Sequence, residues 1–323
     1  AFFEADAEHG MHVGHRQEAT RWMRQWLYND PRPLTEPKDI RLFTDAELQV
    51  TRTGQVHNDF ADEANVADIN LRLARQLETK RRRFWAGNPA KALARVRQLI
   101  GLPENLPQPA VERGDQTQTN WARIDKFTLQ RPGDMPVPAL LFRPPGNTSQ
   151  ALDVVVYADG RGMRSAAHVN GPIRKLVNES TAVFAVDLRG LGETRDQGSN
   201  AKYHSHSHRV GNVATHIGQP LLGQRVRDLL SVVDYLNQVD SERVRSIRMI
   251  GVGSAGPVAL HAAALDARIS KVELRNPTVN SWVDDVVAQP LRREMVDHVV
   301  PGALAWYDLP DLARQLGARL RTR

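Results

Sequence analysis

The chain contains no cysteine, which excludes disulfides, thiolate nucleophiles and cysteine-ligated zinc and leaves the redox compartment open. Aromatic residues are sparse, and no apolar run approaches the roughly 20 residues that a membrane-crossing helix needs. The opening AFFEADAEHG has neither a basic n-region nor an apolar h-region, so no export signal is visible, although one already removed would leave no trace. The expectation is a soluble protein of undetermined compartment. What is present is ordinary for a globular chain: 323 residues, 41% hydrophobic and 25% charged, suffice for one large domain or two small ones.

A formal charge of +6 raises the question of a nucleic-acid or acidic-polymer partner. The densest basic run, Lys80-Arg81-Arg82-Arg83, ends a helical pattern and reads as a solvated turn. Arg314, Arg319, Arg321 and Arg323 read as a solvated chain end. No nucleic-acid partner is expected.

Apolar spacing divides the chain. Trp22, Met23, Trp26 and Leu27 lie on one face of a helix over 15–27, which Pro31 and Pro33 stop. Residues 39–56 read as extended. Asp62 caps a long helix carrying Ile69, Leu73 and Leu77, and a shorter helix over 89–99 stops at Gly101. Residues 102–120, with three prolines and polar filler, read as a linker. After Trp121 the period changes. Strands at 123–129 and 137–142 form a hairpin, and strands at 153–157, 181–186, 246–250 and 269–274 alternate with helices at 166–177, 222–236 and 257–265, with a polar loop before Gly218. That alternation predicts an α/β architecture with a mostly parallel sheet sandwiched by helices and a mainly helical N-terminal segment.

One turn carries the chemistry. Gly251-Val252-Gly253-Ser254-Ala255-Gly256 satisfies G-x-G-x-x-G, and Glu273 stands where a ribose-binding carboxylate belongs, but this strand-helix unit comes late for a dinucleotide site. The other reading is a nucleophile elbow, with Ser254 at a sharp strand-to-helix turn. In the register that takes Gly251 as the first glycine of G-x-S-x-G, the nucleophile position falls on Gly253. A third reading makes Ser254 a helix cap among small residues that let the helix approach the sheet.

VVVYADGRG at 154–162, AVDLRGLGET at 185–194, IGVGSAGPVALHAAALD at 250–266 and PALLFRPPG at 138–146 together resemble an α/β-hydrolase domain of the acetyl xylan esterase-like group, covering 121–323. The resemblance implies that Gly160 and Ala255 supply oxyanion donors or support the loop, and that Asp187 and Arg189 lock loops. It also implies a late acid and a late histidine, yet beyond Leu274 the chain looks mostly helical and lacks the expected late strands. His261 and His298 are not in a strand-end setting. Residues 1–30 resemble the closing strand, histidine loop and helix of a preceding hydrolase domain. His9 is therefore the candidate base, belonging to a tandem neighbour or to one half of a split protein; 31–120 then connects the two parts.

Other constellations read blandly. His204, His206 and His208 alternate in a polar loop, and His9, His12 and His15 cluster without a fixed carboxylate, so no metal and no cofactor is expected. Asp284 with Asp285, and Asp308 with Asp311, suit helix starts. Trp282, Trp306 and Tyr307 suit either a carbohydrate cleft or a core. The expectation is a serine-type carboxylic-ester hydrolase using Ser254 and His9 on small esters or acylated carbohydrate, completed by a protein partner or further domain. The alternative is a catalytically inactive hydrolase-like domain serving assembly or polymer binding.

Overall fold

The computed structural model describes residue 4 and residues 6–146, 150–195, 206–238, 243–292 and 295–323. The chain separates into two compact units, 1–63 and 64–323.

In the first unit, α1 spans Val13–Tyr28 and ends at Asn29 in the left-handed region. It buries no residue; Trp22 and Trp26 pack on each other with ring centroids 5.5 Å apart. Residues 39–56 are not continuously extended. Thr44 and Glu47 close a capping box that starts α2, Asp45–Leu48, and α3 follows at Val56–Asp59. The strand end expected at the first three residues lies outside the described residues.

In the second unit, α4 spans Val66–Gly87 and α5 spans Pro89–Leu99. Asn65, not Asp62, caps α4, because Asn65 and Asp68 satisfy each other's backbone amides. Val96 and Ile100 plant the end of α5 in the core. The sheet begins earlier than the change of period at Trp121. Strand β1, Ala110–Gln118, pairs antiparallel with β2, Arg123–Gln130. Polar and exposed along almost its whole length, this edge strand carries no apolar alternation to betray it.

The hairpin partner β3 is Val137–Arg143, and β4, Leu152–Asp159, opens the parallel block. A 3-10 turn at Met163–Ser165 and the short α6, Pro172–Leu176, replace the single helix expected over 166–177. Pro172 disfavours helix at the preceding residue, and a Cβ on Gly171 would overlap the Ala166 carbonyl. Strand β5, Thr181–Val186, follows; α7, His206–His216, stands where a polar loop was expected; then comes α8, Leu221–Gln238. His204 and the side chains of His206 and His208 lie outside the described residues. The chain continues through β6 (Val244–Val252), α9 (Ala255–Leu265), β7 (Ile269–Arg275), α10 (Leu309–Leu316) and β8 (Leu320–Thr322).

The eight strands form one sheet in the order β1-β2-β3-β5-β4-β6-β7-β8. From β5 to β8 neighbours run parallel, and β3 joins β5 antiparallel. Strand β8 supplies one late parallel strand that the sequence pattern did not show, because only three residues pair. Both faces of the centre are covered. Val154, Val156 and Ala158 of β4 share a core with α8 and α9, whereas Val155 and Tyr157 pack with Met163, Ala166 and Ile173. This two-sided burial explains the unbroken apolar reading of the central strands.

Helix α8 is buried along most of its length and carries charged side chains inward. Arg189 forms a fork with Asp228 and pairs with Asp134 at 3.1 Å. Arg225 donates to the Arg189 carbonyl and to Asp297, both at 3.0 Å. Together these join the loop after β5 to α8 and to the segment around 297.

Gly223 sets the approach of α8 to the end of α5, since a Cβ there would overlap the carbonyl of Ile100. A Gly223→Ala variant should lose about 2 kcal/mol of stability through this overpacking, even though alanine is the better helix former by about 1 kcal/mol. Urea denaturation monitored by circular dichroism checks it; an unchanged midpoint would contradict the packing.

Candidate active site

The turn between β6 and α9 lies at the carboxyl end of the parallel strands, where open α/β sheets place their sites. Small residues are needed on either side of it. A Cβ on Gly251 would stand 2.6 Å from Ala259 Cβ and 2.7 Å from the Ala255 carbonyl, and one on Gly256 would stand 2.7 Å from Pro277 Cβ. These contacts let α9 pack directly on the sheet and fix the direction in which the turn leaves it.

Gly253 adopts φ +59°, the left-handed conformation of the turn's sharpest residue. Its amide donates to the Arg275 carbonyl at 3.0 Å, and its carbonyl accepts from Gly256 and Thr278 at 3.0 and 3.2 Å. Apart from Gly253 and its two chain neighbours, no atom of a described residue lies within 4 Å of where its Cβ would be. The positive φ therefore sits at Gly253 rather than at Ser254, as the register starting from Gly251 requires.

Ser254 follows with φ −68° and ψ −16°, half-buried, as the residue before α9. Its side chain does not cap the helix, which removes the capping explanation for the hydroxyl. Its Oγ hydrogen-bonds no described residue. The loop after β4 closes on it: a Cβ on Gly160 would overlap Ser254 Oγ and stand 2.9 Å from the Ser254 nitrogen. Ala255, fully buried, opens α9, where the first amides have no intrahelical acceptor.

Of the two roles expected of Gly160, oxyanion donor or loop support, its contacts fit the second. Its N–H donates to the Val252 carbonyl at 3.0 Å, so the backbone that holds the loop against β6 has already claimed this donor. The next three amides are engaged too: Arg161 with Asp159 Oδ1, Gly162 with the Asp159 carbonyl, and Met163 with Asp187 Oδ1. Gly160 thus acts by lacking a side chain, and Ala255 is the remaining oxyanion-donor candidate of the two. Asp187 also accepts from Glu193, and Arg189 holds Asp228, which is the loop-locking role expected for both.

His9 is exposed and belongs to the first unit, whereas Ser254 belongs to the second. A histidine that sequence reasoning set aside has a bonded link to the turn. His298 Nε2 shares a 3.0 Å hydrogen bond with Thr278 Oγ1, and the Thr278 amide donates to Gly253. The link passes through a threonine without a motif, so no spacing rule could have found it. His261 is fully buried on α9, sharing bonds with the Pro257 carbonyl and Tyr307 Oη. Trp282 and Tyr307 pack around it in the core, with ring centroids 5.1 Å apart. Asp308 caps α10 through a capping box with Asp311, and Asp285 accepts the amides of Asn280 and Ser281. Asp285, Asp308 and Asp311 therefore organise backbone.

Glu273 is paired with Arg275 and Arg323, and Gly160 covers the glycine turn, an arrangement unlike an open pyrophosphate cradle. Among the described residues no group of three or more histidine, aspartate or glutamate side chains is arranged to hold a metal ion, and no helix is long and apolar enough to cross a membrane.

A mostly parallel sheet with an antiparallel edge hairpin, helices on both faces and an elbow-like turn after β6 defines the α/β-hydrolase fold. Comparison with solved structures gives the same class. A Bacteroides fragilis protein assigned as an acetyl xylan esterase superposes with a TM-score of 0.59 at 14% identity, over 89% of this chain and 77% of that one. The glucuronoyl esterase of Solibacter usitatus gives 0.50 at 14% identity, over 74% of each chain. The methylesterase BT1017 gives 0.52 at 14% identity, over 79% of this chain and 54% of that one. No protein-family model and no curated protein sequence matches the chain.

Burial lowers the pKa of both His261 and His298 to about 4; around His298, Asp297 pulls upward while Arg225 and Arg292 push down. A histidine whose folded pKa is depressed contributes its full stability above the unfolded value near 6.5 and loses it as pH falls toward 4. The melting temperature should therefore drop by roughly 5 °C or more between pH 7 and 5. His298→Asn should flatten that slope in scanning calorimetry, and a melting temperature independent of pH in this window would contradict the buried neutral rings.

Proposed function

We propose that the chain is a carboxylic-ester hydrolase acting on acylated carbohydrate or small esters, with Ser254 as its nucleophile. One observation carries the reading. A half-buried serine hydroxyl with no partner among the described residues stands at the carboxyl end of the parallel sheet, immediately before the helix-start amide of Ala255. The esterases that share the fold support the choice of substrate class.

In this reading Ser254 Oγ attacks the ester carbonyl as its proton passes to a histidine, His9 being the candidate, or one supplied by a partner chain or further domain. The carbonyl oxygen becomes an oxyanion that the Ala255 N–H stabilises. Collapse expels the alcohol, which takes the proton back, and leaves an acyl-serine. Water activated by the same histidine then releases the carboxylic acid. Ser254→Ala should lower the hydrolysis of 4-nitrophenyl acetate by at least about a hundredfold; an unchanged rate would remove Ser254 from the mechanism.

A specific observation favours a second reading, the catalytically inactive domain. Gly253 holds the sharp left-handed position that a nucleophile elbow gives to its serine, and the space around it is open. Gly253→Ser tests this directly. If Ser254 is the nucleophile, the extra hydroxyl leaves turnover unchanged or lower. If position 253 is an emptied nucleophile slot, the parent is inactive and the variant gains measurable ester turnover.

A further inference from the structure

A sizeable cavity of the second unit lies away from the turn. It measures about 840 Å³, within the roughly 300–1,000 Å³ typical of small-molecule sites, and none of its lining residues belongs to 159–163 or 251–256. Half-buried Phe84 and Trp306 form its aromatic wall, their rings meeting edge to face at 5.4 Å. Lys91, Arg95 and Arg97 bring three cations to the lining, against one carboxylate, Glu104.

Among the described residues the three cations have no anionic partner. The Arg97 guanidinium donates to the Pro103 carbonyl and that of Arg95 donates to Gln98 Oε1, both neutral acceptors. Arg95 also lies over the Trp306 ring, 4.4 Å from its centroid. Lys91 and Glu104 make no ion pair with any described residue. A cavity lined by more cations than carboxylates attracts an anion, and stacking of Arg95 on Trp306 holds one charge in a defined place without neutralising it. The side-chain amides of Gln98 and Gln219 bring N–H donors suited to hydroxyl groups, and the aromatic wall suits the C–H face of a ring.

We infer that this cavity binds a carboxylate-bearing saccharide, with Lys91 and Arg95 facing the carboxylate and the Phe84–Trp306 wall packing against the sugar ring. Such a site holds an acidic polysaccharide away from the reacting ester. Its occupancy does not depend on whether Ser254 is a nucleophile, because the readout is binding and not turnover.

Isothermal titration calorimetry of the full chain at low ionic strength, using trigalacturonate, xylotriose and benzoate as separate probes, tests this. Trigalacturonate should bind at least about tenfold more tightly than the neutral xylotriose or the ring-only benzoate. Lys91→Glu with Arg95→Glu should remove that preference; Lys91→Glu alone, at an exposed position, should weaken trigalacturonate about tenfold and serves if the double variant melts early. Equal affinity for trigalacturonate and xylotriose, tighter binding of benzoate, no heat with any probe, or binding indifferent to Lys91→Glu would each overturn the inference.

Discussion

The close approach of α9 to β6 and to the segment after β7 is the constraint on which the site depends. It exists because residues 251 and 256 have no side chains: even a methyl group at either would press on Ala259 or Pro277. With the helix seated this near the sheet, the chain must turn back within two residues. Gly253 takes the left-handed conformation and Ser254 is carried to the end of the strands. The same shortage of side chains lets the loop after β4 close over the turn at Gly160. Packing density and presentation of the hydroxyl are thus one feature.

Around that turn the protein uses buried charge as architecture. Arg189 reaches from the loop after β5 to Asp228 on α8, and Arg225, itself on α8, reaches out to Asp297 and to the Arg189 carbonyl. Breaking one partner of such a pair strands the other in a low-dielectric interior, which is why these groups hold loops in register better than they add net stability. The segment carrying Asp297 also carries His298, whose ring bonds Thr278 Oγ1, while the Thr278 amide donates to the Gly253 carbonyl. The turn is therefore braced by α9 on one side and by this polar chain on the other.

Much of the fold was legible in the sequence because the central strands, buried on two faces, read as short unbroken apolar runs and the helices between them repeat apolar residues at helical spacing. The hairpin of 123–129 with 137–142, the alternation of strands and helices from 153 to 274, and the closeness of helix to sheet at the glycine-rich turn could all be read from the sequence. What escaped reading was what has no period. Strand β1 is a polar edge, β8 pairs only three residues, and α7 lies in a tract whose polarity resembles a loop. The placement of Ser254 and Ala255 between strand and helix could be read from the glycine pattern, but the capture of the Gly160 amide by Val252 depends on how two strand ends meet, which no local pattern specifies. The choice between Gly253 and Ser254 at the apex was likewise a matter of one backbone dihedral.

The central claim is that this bend presents a reactive serine hydroxyl, and covalent labelling tests it most directly. The full chain treated with an alkyl fluorophosphonate, digested and sequenced by mass spectrometry should carry a single phosphonyl adduct on Ser254. Absence of an adduct there, with labelling elsewhere or none at all, would contradict the account and leave the glycine turn a packing device alone.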